Sequence, residues 1–320
     1  MKYINTFEEG LQVKDIYLCK KSSRAQTKAG NPYMNVTLQD KTGTVDAKIW
    51  DPDSPGIGEF EELDYIWVMG EVTVYNGKNQ VTIRQVRRAA IDEFDPADYM
   101  PTSQKMTDDM LAQLHSYIES IQAEYMRKLL NHFFVGDKDF CRAFCNHSAA
   151  KSVHHGFIGG LLEHTLSVTG ICNYFAQNYP FLDRDLLLTA AMCHDIGKVR
   201  ELSPFPKNDY TDEGQLLGHI MIGVEMVRDA IREIDSFPQI KADELLHCIL
   251  SHHGQLEFGS PKKPAIAEAL ALSFADNTDA KLETIREALA KDPSLKWQGF
   301  NRYIDSNIRR TSMAPTGEEG

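Results

Sequence analysis

Two periodicities divide the chain. Between residues 11 and 90, short runs (VKDIYLCKKSS, PYMNVTLQD, VDAKIW, DYIWVMGEVTVYNG and NQVTIRQVRRA) alternate apolar and polar positions. That period of two turns one strand face to a core and the other to water. About five strands are predicted. Asp40-Lys41-Thr42-Gly43 separates two of them, and Asn76-Gly77, between Val72-Thr73-Val74-Tyr75 and Val81-Thr82-Ile83, is a strong hairpin signal. Beyond residue 105 the period changes. Met110, Leu111, Leu114, Tyr117, Ile118, Ile121 and Tyr125 recur at helical spacing, later segments repeat the pattern, and no alternation returns, so the second part is predicted to be all-α. The stretch between them, IDEFDPADYMPTS, is acidic, contains Pro96 and Pro101, lacks periodicity and reads as a linker. The expected organisation is a β-barrel over 1–92, linker and leading helices over 93–150, a helical domain over 151–310 and a disordered tail over 311–320.

Composition narrows the classes. A chain of 320 residues, 42% hydrophobic and 25% charged, suits two ordinary globular domains and excludes collagen-like and low-complexity chains. No apolar run approaches the ~18 residues that span a bilayer, and MKYINTFEEG lacks a signal-peptide core, so a cytoplasmic location without membrane partners is expected. Six cysteines without C-x-x-C spacing point to reduced thiols rather than a disulfide framework or zinc knuckle. The net charge of -12 argues against coating nucleic acid by bulk electrostatics. Its distribution changes the picture: residues 1–90 hold 12 Lys+Arg against 12 Asp+Glu, so all the excess lies later. All 11 histidines lie after residue 114, and an acidic, histidine-rich segment suggests bound metal cations.

A five-stranded barrel of this size resembles the OB-fold, and LQDKTGTVDAKIW followed by VMGEVTVYNGKNQVTI is similar to nucleic-acid-binding OB modules. Its candidate binding face carries Lys20, Lys21, Arg24, Lys28, Tyr33, Trp50 and Tyr75, cations interleaved with aromatics as phosphate contact and base stacking require. Taken singly, Trp50 or Tyr75 reads as barrel packing before it reads as a stacking platform, and Lys20-Lys21 reads also as a solvated edge.

In the helical part, Cys193-His194-Asp195-Ile196-Gly197-Lys198 comes after an apolar helix and sets an imidazole beside a carboxylate. Alone, that pair is as well explained by capping. His164, His219, His252-His253 and Asp276 also lie on predicted apolar helices, separated by gaps of 23 to 33 residues that each suit one helix and its return. Burying so many ionisable groups without a cation is costly, whereas coordination satisfies imidazole and carboxylate together. Cys193 is expected to face the core, since its neighbour on a helix is rotated by about 100°. Lys198, three residues after Asp195, suits a phosphate contact, and His154-His155 suit a phosphate contact or a general acid. Glu163 and Asp279 are candidates to orient the imidazoles. Lys207, Lys262 and Lys263 read as ordinary loop lysines, and His115, His132, His147 and His247 as packing or surface residues.

The ordered set H…HD…H…HH…D on an all-α domain resembles the HD-domain metal-dependent phosphohydrolase superfamily over residues 152–289. With an OB-like module in front and HHGFIGGLLEHT opening the domain, the chain is similar to the YhaM-type 3'-5' exoribonucleases. The resemblance implies a first cation on His164, His194, Asp195 and Asp276, and a second on His219, His252 and His253 with Asp195 between them. It implies manganese, with iron or cobalt as alternatives, single-stranded RNA or DNA as partner, and nucleoside 5'-monophosphates as products. HD-domain proteins often assemble, so a homo-oligomer is a further expected partner. Two other readings fit the same residues: an HD phosphodiesterase acting on cyclic dinucleotides or nucleotides, and a non-catalytic nucleic-acid-binding protein with a structural metal site. The GYP signature of cyclic-dinucleotide phosphodiesterases is absent after HDIGK, where the chain runs Val199-Arg200-Glu201.

Overall fold

The computed structural model describes residues 1–100, 102–103, 105–151, 156–291 and 294–312. The chain forms two compact units, Met1–Thr102 and Ser103–Gly320. No helix among the described residues is long and apolar enough to cross a membrane.

The first unit is a closed barrel of β1 (Gln12–Gln26), β2 (Pro32–Asp40), β3 (Gly43–Ile49), β4 (Tyr65–Tyr75) and β5 (Lys78–Arg88), in the order β1-β2-β3-β5-β4. Closure depends on the length of β1. Its first half pairs antiparallel with β4, its second half with β2, and a bulge between Cys19 and Lys21 bends it from one partner to the other. A short parallel pairing of β3 with β5 completes the ring. Alternation fills the interior with Val13, Tyr17, Val36, Leu38, Ile49, Val68 and Val81. Asn76-Gly77, both at positive φ, make the tight turn between β4 and β5.

The expected linker is largely part of this unit. Phe94 stacks on Tyr65 at 3.9 Å between centroids, Tyr99 and Met100 are buried, and Gln39 Nε2 donates to the Tyr99 carbonyl at 3.1 Å. An irregular strap anchored by three apolar side chains has no period, so the boundary expected at residue 92 moves to 102.

The second unit packs α1 (Thr107–Glu119), α2 (Glu124–Asn131), α3 (Lys138–Asn146), α4 (Gly160–Asn178), α5 (Arg184–Cys193), the single turn α6 (Lys198–Glu201), α7 (Asp212–Arg232), α8 (Gln239–Ser251) and α9 (Ala267–Lys291). Asp183 caps α5 by accepting from Leu186 N, and Thr211 caps α7 by accepting from Gly214 N. Residues 186–193 of α5 are all buried, as an apolar-all-round helix must be, so α5 runs through the middle of the bundle. The all-α expectation misses one feature: β6 (Trp297–Asn301) and β7 (Ser306–Arg309) form an antiparallel hairpin. Its strands are short and mostly exposed, so they lack the half-buried alternation that reveals a strand. Of the expected tail, residues 313–320 lie outside the described residues.

Candidate metal centre

The site is assembled at helix ends and on helix faces. His164 and Asp276 project from α4 and α9, while His194 and His252 are the C-terminal caps of α5 and α8, with Asp195 and His253 one residue beyond. His219 comes directly after Gly218, where α7 kinks at φ 73° and ψ 156°. Both pairs, His194-Asp195, expected after an apolar helix, and His252-His253, expected on one, thus sit where helices stop. There the chain can turn adjacent side chains toward one point, as a continuing helix, rotating by about 100° per residue, does not.

The side chains form two trios. His164, His194 and Asp276 offer donor atoms within 4.8 Å of one another, and His219, His252 and His253 do the same. Asp195 lies between them: Oδ2 is 3.4 Å from Nε2 of both His164 and His194, while Oδ1 is 3.4 Å from His219 Nε2 and 3.7 Å from His252 Nε2. His164, His194, Asp195 and His252 are buried.

Every ring is held through Nδ1. His194 and His252 donate to the carbonyls of Ala191 and Ile249, three residues back, at 2.8 and 2.7 Å. His253 donates to Phe258 O at 2.8 Å, His164 to Asp279 Oδ2 at 2.7 Å and His219 to Glu201 Oε1 at 2.9 Å. Nδ1 being the donor, each ring in its neutral form turns the lone pair of Nε2 inward, the arrangement that metal-ligating histidines adopt. His164 Nε2 and His194 Nε2 face each other at 3.2 Å, while Asp195 Oδ1, His219 Nε2 and His252 Nε2 are buried with no hydrogen-bond partner. Such groups carry an uncompensated desolvation cost, which a cation between them removes. The donor set therefore fits divalent metal.

The charges agree. Burial, with His253 and His194 nearby, pushes the His252 imidazole well below its usual range, and burial with His219 lowers His253, so both stay neutral donors. Burial opposes ionisation of Asp195, yet Lys198 and His194 hold it well below the usual carboxylate range. His164 differs: burial opposes its charged form, but Asp195, Asp276 and Asp279 hold it well above the usual value, so a cation bound there takes the place of the Nε2 proton. Lys198 donates to Asp195 Oδ2 at 2.9 Å and to Ala149 O at 2.7 Å. It lines a cleft of about 480 Å³ with His164, Asp195, His252, His253 and Asp276.

Other expected residues fall elsewhere. Asp279 does hold His164, but Glu163 accepts from Ser103 Oγ at 2.6 Å and pairs with Lys105 at 3.0 Å. Lys207, Lys262 and Lys263 do not line the cleft. His147 is buried with both ring nitrogens on backbone carbonyls, and His115, His132 and His247 stand apart from the trios. His154 and His155 lie outside the described residues. Cys193 is fully buried. Glu201 escaped the sequence because its partner, His219, is 18 residues away and no motif connects them. Glu201 also accepts from the His219 backbone N at 2.9 Å, so it fixes both ring and main chain. Replacing it with alanine is expected to weaken metal affinity by about 10- to 100-fold, measured as metal retained after dialysis against graded chelator.

On the barrel, Trp50 and Tyr75 are 53% and 66% exposed, so neither is core packing. Tyr33 and Trp50 lie 5.5 Å apart between centroids, and Lys48, absent from the expected set, stands 4.9 Å over the Tyr33 ring. Lys20, Lys21, Arg24 and Lys28 are exposed, and Arg24 pairs with Asp53 at 3.6 Å. Tyr75, at the tip of β4, makes no ring contact with that pair. Alternation along β3 carried the signal for Lys48, which shares the outward face with Trp50.

The paired histidine and carboxylate cluster on this helical frame is that of an HD-domain protein, and the HD-domain family model matches residues 161–281. Two curated relatives named "3'-5' exoribonuclease YhaM" are similar over nearly the whole chain. The Bacillus velezensis protein is 36% identical and the Bacillus licheniformis protein 35% identical, each over 294 residues that cover 91% of both chains. The chain belongs to the YhaM 3'-5' exoribonuclease family. Its barrel aligns at 16% identity and a TM-score of 0.22 with the second OB-fold domain of replication protein A from Methanococcus maripaludis, over 27% of this chain and 92% of that one. The OB-like assignment rests on strand order and closure.

Proposed function

We propose that the chain is a metal-dependent 3'-5' exonuclease that shortens single-stranded RNA, and single-stranded DNA as a second substrate, to nucleoside 5'-monophosphates. The observation that carries this reading is Asp195, whose two buried oxygens each face a separate trio of donor side chains. His164, His194, Asp276 and Asp195 Oδ2 would hold one cation, and His219, His252, His253 and Asp195 Oδ1 the other. The nitrogen and carboxylate donors suit manganese, iron or cobalt, with no thiolate in the set. When bound, such cations supply Lewis-acid activation of a water and neutralise charge on the phosphoryl group. Lys198, tethered to Asp195 and Ala149, keeps an ammonium on the cleft wall where it meets the phosphate oxygens. The aromatic pair Tyr33–Trp50 with Lys48, together with Lys20, Lys21, Arg24, Lys28 and Tyr75, gives the barrel stacking surfaces and cations for bases and phosphates upstream. The free cysteines are compatible with a cytoplasmic setting.

Protein stripped by chelator and reloaded with manganese is expected to shorten a 5'-labelled oligoribonucleotide in single-nucleotide steps with release of 5'-monophosphates, and the chelated protein to leave it intact. Full-length RNA in both reactions, resolved on a sequencing gel, defeats the reading.

A further inference from the structure

Residues 296–310 (KWQGFNRYIDSNIRR) set Lys296, Arg302, Arg309 and Arg310 against Asp305 alone, in a chain whose net charge is -12. They also carry three aromatics, Trp297, Phe300 and Tyr303. In an ordinary hairpin, aromatics face the core. Here the register does the reverse. Trp297 pairs with Arg309 and Phe300 with Asn307, and the register shifts between Trp297 and Gly299. Arg309 and Asn307 are two apart and share a face, so the inserted residue brings Trp297 and Phe300, three apart, onto that face too. Gly299, at φ 83°, takes the left-handed conformation the bulge needs. The opposite face presents Ile308, which is buried, and Arg310 donates to the Leu289 carbonyl of α9.

The consequence is a hairpin fastened by one face with its aromatics turned to solvent: Trp297 is 57% and Phe300 64% exposed. The Arg309 guanidinium lies 5.8 Å from the Trp297 ring centroid. At the tip, Arg302 covers the Tyr303 ring at 4.8 Å, and Tyr303 lines the same cleft as Asp195, Lys198 and Asp276. Aromatic faces interleaved with arginines, on a hairpin whose tip lines the cleft, match the chemistry of single-stranded nucleic acid.

We propose that this hairpin grips the 3' end of single-stranded RNA, with bases stacked on Trp297 and Phe300, Arg309 on a phosphate, and Tyr303 against the terminal nucleotide in the cleft. The proposal rests on the nuclease reading above and adds a binding element outside the barrel. It is tested with the full chain in chelator, where no turnover interferes, by fluorescence anisotropy of a 5'-fluorescein oligouridylate. The double variant Trp297→Ala, Phe300→Ala is expected to bind about tenfold or more weakly, since each stacked base contributes substantially to affinity. The pair Trp297→Phe, Phe300→Tyr keeps the aromatic faces and should restore binding to within about threefold of the original. Arg309→Ala should lower the slope of log affinity against log salt by about 0.7, one phosphate contact on a single strand. Phe181→Ala, an equally exposed aromatic before α5, serves as the control that leaves affinity unchanged. Unchanged affinity in the double alanine variant overturns the proposal. So does a dimer, seen by light scattering, that the double variant dissolves while oligonucleotide affinity stays intact, because the face would then belong to a second copy of the chain. Failure of the manganese-loaded protein to shorten RNA counts against the nuclease reading, whereas the affinity comparison in chelator judges the hairpin separately.

Discussion

Replacing Asp195 with asparagine is expected to lower turnover of oligoribonucleotides by about a hundred- to a thousandfold, the scale on which loss of one preorganised group acts at a reacting centre. An amide keeps the shape of the carboxylate but only one of its oxygens, and the NH2 group has no lone pair for a cation. Asp195 uses both oxygens, one toward His164 and His194 and the other toward His219 and His252. The variant can therefore serve one trio at most. Metal content by plasma emission spectroscopy should fall from the two ions per chain of the proposed centre to one or fewer. In chelator the variant should also lose about 3–5 kcal/mol of stability, because Lys198 and the imidazoles of the cluster are left without their buried anion. Two retained ions with undiminished turnover would refute the bridging role.

The second large effect is steric. Gly197→Ala is expected to destabilise the helical unit by about 3 kcal/mol, since a Cβ there would stand 2.1 Å from the His219 carbonyl oxygen and 2.7 Å from Gly223 N. Both are backbone atoms of α7 and cannot swing aside. Gly197 itself has φ -63°, so alanine suits the local conformation and only the close approach forbids it. The clash falls on the main chain of His219, so weaker metal binding should accompany the lost stability. Gly223→Ala provides the contrast. Its Cβ would find its nearest atom, Gly197 N, at 3.4 Å, and an alanine in mid-helix gains about 0.5–1 kcal/mol over glycine. Urea titration of the metal-free variants should lower the midpoint for the first and leave it level or raised for the second. Equal midpoints for Gly197→Ala and the unaltered chain would show that α7 yields at no cost.

Much of this architecture is legible in the chain. Period-two alternation marks the five barrel strands, Asn76-Gly77 marks their sharpest turn, and helical spacing marks the second unit, because each repeat is the direct consequence of burying one face. The ligand candidates are legible for another reason: His164, His194-Asp195, His219, His252-His253 and Asp276 interrupt apolar stretches that would otherwise exclude such groups.

Three kinds of feature were hidden in the chain. The strap around Tyr99 and Met100 is anchored without a period, so it read as a linker. Glu201 acts through a partner 18 residues distant, a contact that neither residue's neighbours betray. The hairpin at 297–309 turns its aromatics outward by way of one inserted residue, which cancels the alternation that announces a strand. Local spacing by itself determined which faces of the regular strands and helices would be buried and which polar residues would interrupt them, since burial of a face is a local matter repeated along each element. Only the tertiary structure decided that Asp195 faces two trios at once, that Trp50 stands in solvent and that Tyr303 reaches the cleft. Those are distances between segments far apart in sequence, set by how whole helices and strands pack rather than by the order of residues within any of them.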